Sequence, residues 1–189
     1  MRFLMGNLKG QMVISTIKYL KTVFGDENYS AVLNKMSAVS RKVIEGNIMY
    51  GQMVPLKPYI DLIRVADEHL GKGNYLLCRK IGQFVAEEGI PKLYRVFVTT
   101  ADPMFAINRL PNFWIHMYDT GKLTTQHETK NIVTVNIIDF ADMHKAYCWK
   151  LLGYFEKMLE LAGGKNVKII ETTCRADGSP QCSYSIAWE

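Results

Sequence analysis

No apolar stretch in the chain approaches the roughly eighteen residues that a membrane-spanning helix needs. The opening Met1-Arg-Phe-Leu-Met5 has a basic start but turns polar by Asn7, so it does not build the apolar core of a signal peptide. Runs of five or six like charges are missing as well. The net charge of +5 is spread along the chain, which argues against a nucleic-acid partner. GxGxxG, Walker A, GxSxG and HExxH patterns are all absent, and with them the common nucleotide and hydrolase sites. Only four cysteines occur in 189 residues, which suits free thiols in a reducing compartment better than a disulfide framework. No repeat, linker or low-complexity segment breaks the chain. The expectation is a cytoplasmic protein without a membrane span.

What is there concentrates toward the end. Three of the four cysteines fall between Cys148 and Cys182, together with the run Glu171-Thr-Thr-Cys174. Thiolates and a carboxylate make a plausible tetrahedral zinc set, because sulfur and carboxylate oxygen both suit that ion. The spacing is not a CxxC knuckle, so the argument rests on where each residue falls on its element. From Cys148 the apolar residues Leu151, Leu152, Phe155, Leu159 and Ala162 recur at offsets 3, 4, 7, 11 and 14, which is one face of a helix. Asp142 is placed to cap it, and Gly163-Gly164 to end it. Strands over 167–173 and 182–188 follow, joined through Asp177-Gly178 and Pro180 as a hairpin.

Side-chain alternation puts Val167, Ile169 and Glu171 on one face, and Cys182, Tyr184, Ile186 and Trp188 on one face of the partner strand. Stacking both faces on the helix directs Glu171 and Cys182 toward Cys148. Cys174 is one residue out of phase and joins them only if the strand bulges near Thr172 and Thr173. His144, one turn before Cys148, is a backup ligand or a surface residue near the helix start. The bland alternative is that each cysteine packs as a small hydrophobe. A core-facing Glu171 fits that alternative poorly, since it is costly to bury unpaired.

Earlier in the chain, a helix over 7–24 is stopped by Gly25, and a second runs from Asp26 to about residue 43. A loop over 46–54 leads to a helix opened by Pro55, with Tyr59, Leu62, Ile63, Ala66 and Leu70 on one face. A further helix over 75–88 carries Cys78, read as core. Two helical pieces over 91–110 are broken near Ala101-Asp102-Pro103. Strands over 112–118, 123–128 and 132–138 then form a meander. The fold class is α+β: N-terminal helices, an antiparallel β-meander, a long helix and a C-terminal β-hairpin. One domain is expected over residues 1–189, helical to about 110. A strand at 112–118 places Trp114, His116 and Tyr118 on one face, our candidate anchors for a ligand in an apolar cavity. If Phe113, Ile115 and Met117 line that cavity instead, the choice inverts. Ten Met, ten Tyr and eight Phe make the interior adaptable.

Cys148, Gly153-Tyr154, Glu171-Thr-Thr-Cys174, Gly178 and Cys182 together resemble the signature of the 4-vinyl-reductase domain family. That family shares a superfamily with the haem–nitric-oxide-binding domain and the small subunits of the TRAPP trafficking complex. Leu110-Pro111-Asn112-Phe113-Trp114 and Tyr118-Asp-Thr-Gly121 look like its entry into the meander. The resemblance implies zinc held by Cys148, Glu171, Cys174 and Cys182, and a sheet and helices that enclose an apolar cavity. It also implies a sensor or regulatory domain for a small hydrophobic or aromatic ligand, working as a homodimer. With no output domain after Glu189, its signal is expected to pass to a separate protein. A TRAPP-like interaction or lipid-binding module is the second implied role. A reductive role in tetrapyrrole metabolism is the third, and it lacks a nicotinamide motif. A sphere filled by four protein ligands favours structural zinc over hydrolysis. Haem needs an axial histidine, and none of His69, His116, His127 or His144 carries a recognisable motif for it.

Overall fold

A computed structural model describes residues 6–89, 102–140 and 142–189. The chain enters through a short strand, β1 (Asn7–Lys9), rather than directly into helix. Helix α1 (Gly10–Lys35) then runs through the expected stop at Gly25, which becomes a kink with φ 84°. Glycine takes that left-handed φ without the steric cost other residues incur. Ser37 opens α2 (Ala38–Ile44), its Oγ accepting from Ser40 N. Strand β2 (Met53–Pro55) pairs antiparallel with β1, inside what the sequence suggested was a loop. Helix α3 (Leu56–Leu70) buries Tyr59, Leu62, Ile63 and Ala66, and α4 (Leu76–Gly89) buries Cys78, as their periodicity predicts. The first of the two helical pieces expected over 91–110 lies largely outside the described residues.

The meander's first strand is a correction. Residues 112–117 belong to helix α5 (Pro103–Met117), capped by Asp102, whose side chain accepts from Met104 N. Pro111 and the aromatic, β-prone run after it suggested a strand. The burial of Ala106, Ile107, Leu110, Trp114 and Met117 follows the helical repeat instead. Packing of that face outweighs both β-propensity and the hydrogen bond lost at proline. Only Tyr118 is extended, in an isolated bridge to Leu8.

Strands β3 (Lys122–Thr129) and β4 (Ile132–Ile138) form a hairpin, and helix α6 (Lys145–Leu161) follows. Strands β5 (Lys168–Thr173) and β6 (Cys182–Ala187) close the chain. The resulting antiparallel sheet has the order β3-β4-β6-β5. Its two central strands put Val133, Val135 and Ile137 beside Ile186, Tyr184 and Cys182, all fully buried on one face. Alternation of the side chains makes that face the floor of the core. Among the described residues no helix is long and apolar enough to cross a membrane.

Above this floor α6 packs most extensively on α4. The contact is made by glycines. A Cβ on Gly82 would lie 1.9 Å from the Lys150 carbonyl oxygen, and one on Gly153 would lie 2.0 Å from that of Arg79. Arg79 also grips Glu156 with two nitrogens at 2.6 and 3.0 Å, and Gln83 donates to the same carboxylate at 2.8 Å. That half-buried fork sets the register of the two helices. Gly153→Ala is therefore expected to cost about 3 kcal/mol by overpacking backbone against backbone. Gly51→Ala, with open space around its Cβ, should stay within about 0.5 kcal/mol. Urea denaturation of both variants checks the pair.

Candidate functional site

Helix α6 starts at a cap that differs from the expected one. Asp142 adopts φ 51° outside the helix, and His144 Nδ1 accepts from Ala146 N at 3.1 Å. His144 is thus a helix cap facing the Tyr75 ring, and the structure does not bring it into the thiol cluster. One turn later Cys148 is buried against the sheet, and its carbonyl accepts from the Tyr184 hydroxyl.

The hairpin supplies the other three groups. Pairing of β5 with β6 slips between Glu171 and Thr173, so Thr172 is the extra residue of a bulge. That irregularity is where side-chain parity requires it, and it returns Cys174 to the inner side, 3 % exposed. Cys174 then opens a 3-10 turn (Arg175–Asp177) that ends at Gly178 in the left-handed conformation, φ 91°. Arg175 N–H donates to Cys182 Sγ at 3.2 Å, and the sulfurs of Cys148 and Cys174 lie 3.3 Å apart.

Donor atoms of Cys148, Glu171, Cys174 and Cys182 all lie within 4.8 Å of one another. The electrostatics are uneven. The Cys148 hydrogen bond, helped by Arg175 N–H, pulls Cys182 down to about 7 against burial. Its bond to Cys182, with burial next, pushes Cys148 far up. Burial raises Cys174. Lys145 bridges Glu171 Oε2 at 2.9 Å and Asp177 at 2.5 Å, covering the outer side of the cluster. Glu171 Oε1 faces inward, is buried and has no hydrogen-bond partner among the described residues. A buried carboxylate oxygen left without a donor is costly. Three thiols and that oxygen form a donor set suited to a cation.

The proposed ligand anchors do not form one group. Trp114 is buried and donates through Nε1 to Thr120 O. Tyr118 is buried and accepts from the Tyr147 hydroxyl at 2.7 Å. His116 is exposed, because two residues along a helix turn a side chain to the far side, whereas two along a strand return it. Sequence reasoning passed over Lys150. This residue is fully buried inside α6, with its amine near the rings of Tyr59, Tyr147 and Tyr154, and burial pulls it down to about 7. The apolar repeat that starts at Cys148 leaves position 150 off its stripe, so the helical period gives no sign of this burial.

No family model matches the chain, and no curated protein matches its sequence. Solved structures do match in fold. An H-NOX protein from S. oneidensis in the Fe(II)NO ligation state superposes with a TM-score of 0.73 at 12% identity, over 96% of this chain and 99% of that one. The Fe(II) unliganded H-NOX protein from K. algicida gives 0.71 at 12% identity, over 96% and 97%. A structure from a study of heme distortion in the H-NOX family gives 0.71 at 14% identity, over 96% and 95%. The chain therefore has the H-NOX fold. The expectation of zinc as cofactor is overturned by these neighbours, which carry Fe(II) or heme.

Haem itself fails the test of the donors present here. It needs an axial ligand in an apolar pocket. Among the described residues His69, His116 and His127 are exposed, and the half-buried His144 spends Nδ1 on the helix cap. Cys78 is buried, but its thiol donates to Ile63 O, and burial, with Asp67 adding to it, holds it far from the thiolate. Between α5 and α6 the space is taken by Trp114, Tyr118, Phe140 and Tyr147, packed mostly edge to face at centroid distances of 4.2 to 6.4 Å. The described residues do not fit haem.

Two outcomes follow from this geometry. All four cysteines are buried, so the native chain should react slowly with a thiol reagent. Deleting Thr172 removes the extra residue, turns Cys174 outward and should expose one fast-reacting thiol. For the cap, burial and nearby Arg64 hold His144 below 6.5, so the unfolded chain takes up its proton first. The cap's stability is present above that value and is lost as pH falls below it. His144→Asn caps without titrating and should flatten the slope of stability between about pH 7.5 and 5.5.

Proposed function

We propose that this chain is a small-molecule sensor or regulatory domain whose hairpin is stapled to α6 by a thiophilic metal ion. The observation that carries the staple is the convergence of Cys148, Glu171, Cys174 and Cys182 within 4.8 Å around a buried oxygen without a donor. A cation there gives Glu171 Oε1 its missing partner and lets the thiols ionise, which burial otherwise opposes. Four protein donors fill a tetrahedral sphere, so the ion's role is structural. The H-NOX fold and the 4-vinyl-reductase-like pattern around the same residues support the sensor reading. Its ligand is small and apolar or aromatic, contacts the interior ring cluster that includes Trp114 and Tyr118, and signals through a partner copy or a separate output protein.

Elemental analysis with native mass spectrometry tests the staple. The expected result is about one thiophilic cation per folded chain. Cobalt(II) added to the stripped protein should give the intense absorption of thiolate-to-metal charge transfer. Cys148→Ser/Cys182→Ser should lose the cation, the absorption and stability together. A native chain that stays metal-free and gives no such absorption with cobalt(II) refutes the staple.

A further inference from the structure

Apart from the Glu171 oxygen in the thiol cluster, the other charged side chains buried in the described interior are matched. Asp67 accepts from the backbone N–H groups of Tyr75 and Leu77, at 2.8 and 3.0 Å. Glu156 is held by Arg79 and Gln83. Lys150 differs: it is 0 % exposed, and among the described residues its one hydrogen-bond acceptor is Met12 Sδ at 3.6 Å. Tyrosine rings stand around it, with centroids 6.0, 5.3 and 5.2 Å from Nζ at Tyr59, Tyr147 and Tyr154. Their faces attract a cation but accept none of the three N–H groups in a strong hydrogen bond. A thioether is a weak acceptor on an unbranched, readily moved side chain. Met12 therefore stands where a better acceptor belongs.

We propose that Lys150 is the anchor of an interior ligand site, and that the ligand is a carboxylic acid on an apolar body. The proposal rests on the small-molecule reading above and adds the ligand's charge and the residue that reads it. A carboxylate has two oxygens and about four acceptor positions, enough to replace the thioether and satisfy the ammonium. The apolar body is required by the walls, since Met12, Tyr59 and Tyr154 present carbon surface around the amine. Entry displaces the flexible Met12 side chain from in front of Nζ. Charge pairing in this dry setting distinguishes an acid from its neutral isostere, because the isostere leaves the ammonium unsatisfied.

The probes are benzoate and decanoate, each paired with its amide, titrated onto the intact metal-loaded chain by calorimetry and thermal shift. At least one acid should bind the wild type about tenfold or more tighter than its amide. The acid that does so distinguishes an aromatic from an aliphatic body. Lys150→Met should fold, as judged by circular dichroism. It should also raise the unliganded midpoint by removing a buried amine, and bind acid and amide alike. Equal binding of acid and amide by the wild type overturns the Lys150 anchor and leaves the small-molecule reading standing. Undiminished preference for acid in Lys150→Met also overturns it. No binding by any of the four probes overturns both. Should Lys150→Met fail to fold, the wild-type comparison of acid with amide decides the matter alone.

Discussion

The backbones of α4 and α6 touch, and much of the molecule is arranged around that contact. With glycines at positions 82 and 153, the helices approach until a carbonyl of each occupies the space a Cβ would need. Two other features hang on that approach. The Arg79–Glu156 fork reaches across at hydrogen-bond distance. Lys150, whose carbonyl sits against Gly82, is carried into the centre of the domain with no route for its amine to reach water. Long lysine side chains normally escape to the surface along their stems. The close crossing denies this one that path.

How far the amino-acid sequence foretold this depends on the element. Alternation along β5 and β6 and the helical repeat after Cys148 placed three of the four cluster residues on converging faces. The out-of-phase Cys174 demanded the bulge found at Thr172. These are short-range patterns, settled within a few residues. The failure at 112–117 was of another kind. Phe113, Trp114 and Ile115 favour strand in isolation, and Pro111 disfavours helix. Only the burial of Trp114 against Phe140, supplied by a distant part of the fold, decides for α5. His116 was lost as an anchor for the same reason. Glycine contacts between helices and the isolation of Lys150 are tertiary facts that no local pattern carries.

A shared fold with different contents is the other lesson. The architecture of the H-NOX structures is reproduced over nearly the whole chain at 12–14% identity. At that distance the shape of a domain survives while its chemistry is free to change. Here the interior offers rings, one amine and no buried histidine among the described residues. Three thiols and a carboxylate have gathered instead at the junction of hairpin and helix.

The spacing of those donors along the chain also carries a kinetic consequence. Cys174 and Cys182 are eight residues apart and already share a hairpin, whereas Cys148 is 26 residues from Cys174. Chain-closure entropy grows with the logarithm of loop length, so recruiting the helix costs about 1 kcal/mol more than pairing the hairpin's two sulfurs. Closing a short β-turn takes microseconds, far faster than docking a helix across a core. Three of the cluster's four groups are thus assembled by local chain statistics, and the arrival of α6 is the slower, cooperative event that completes it.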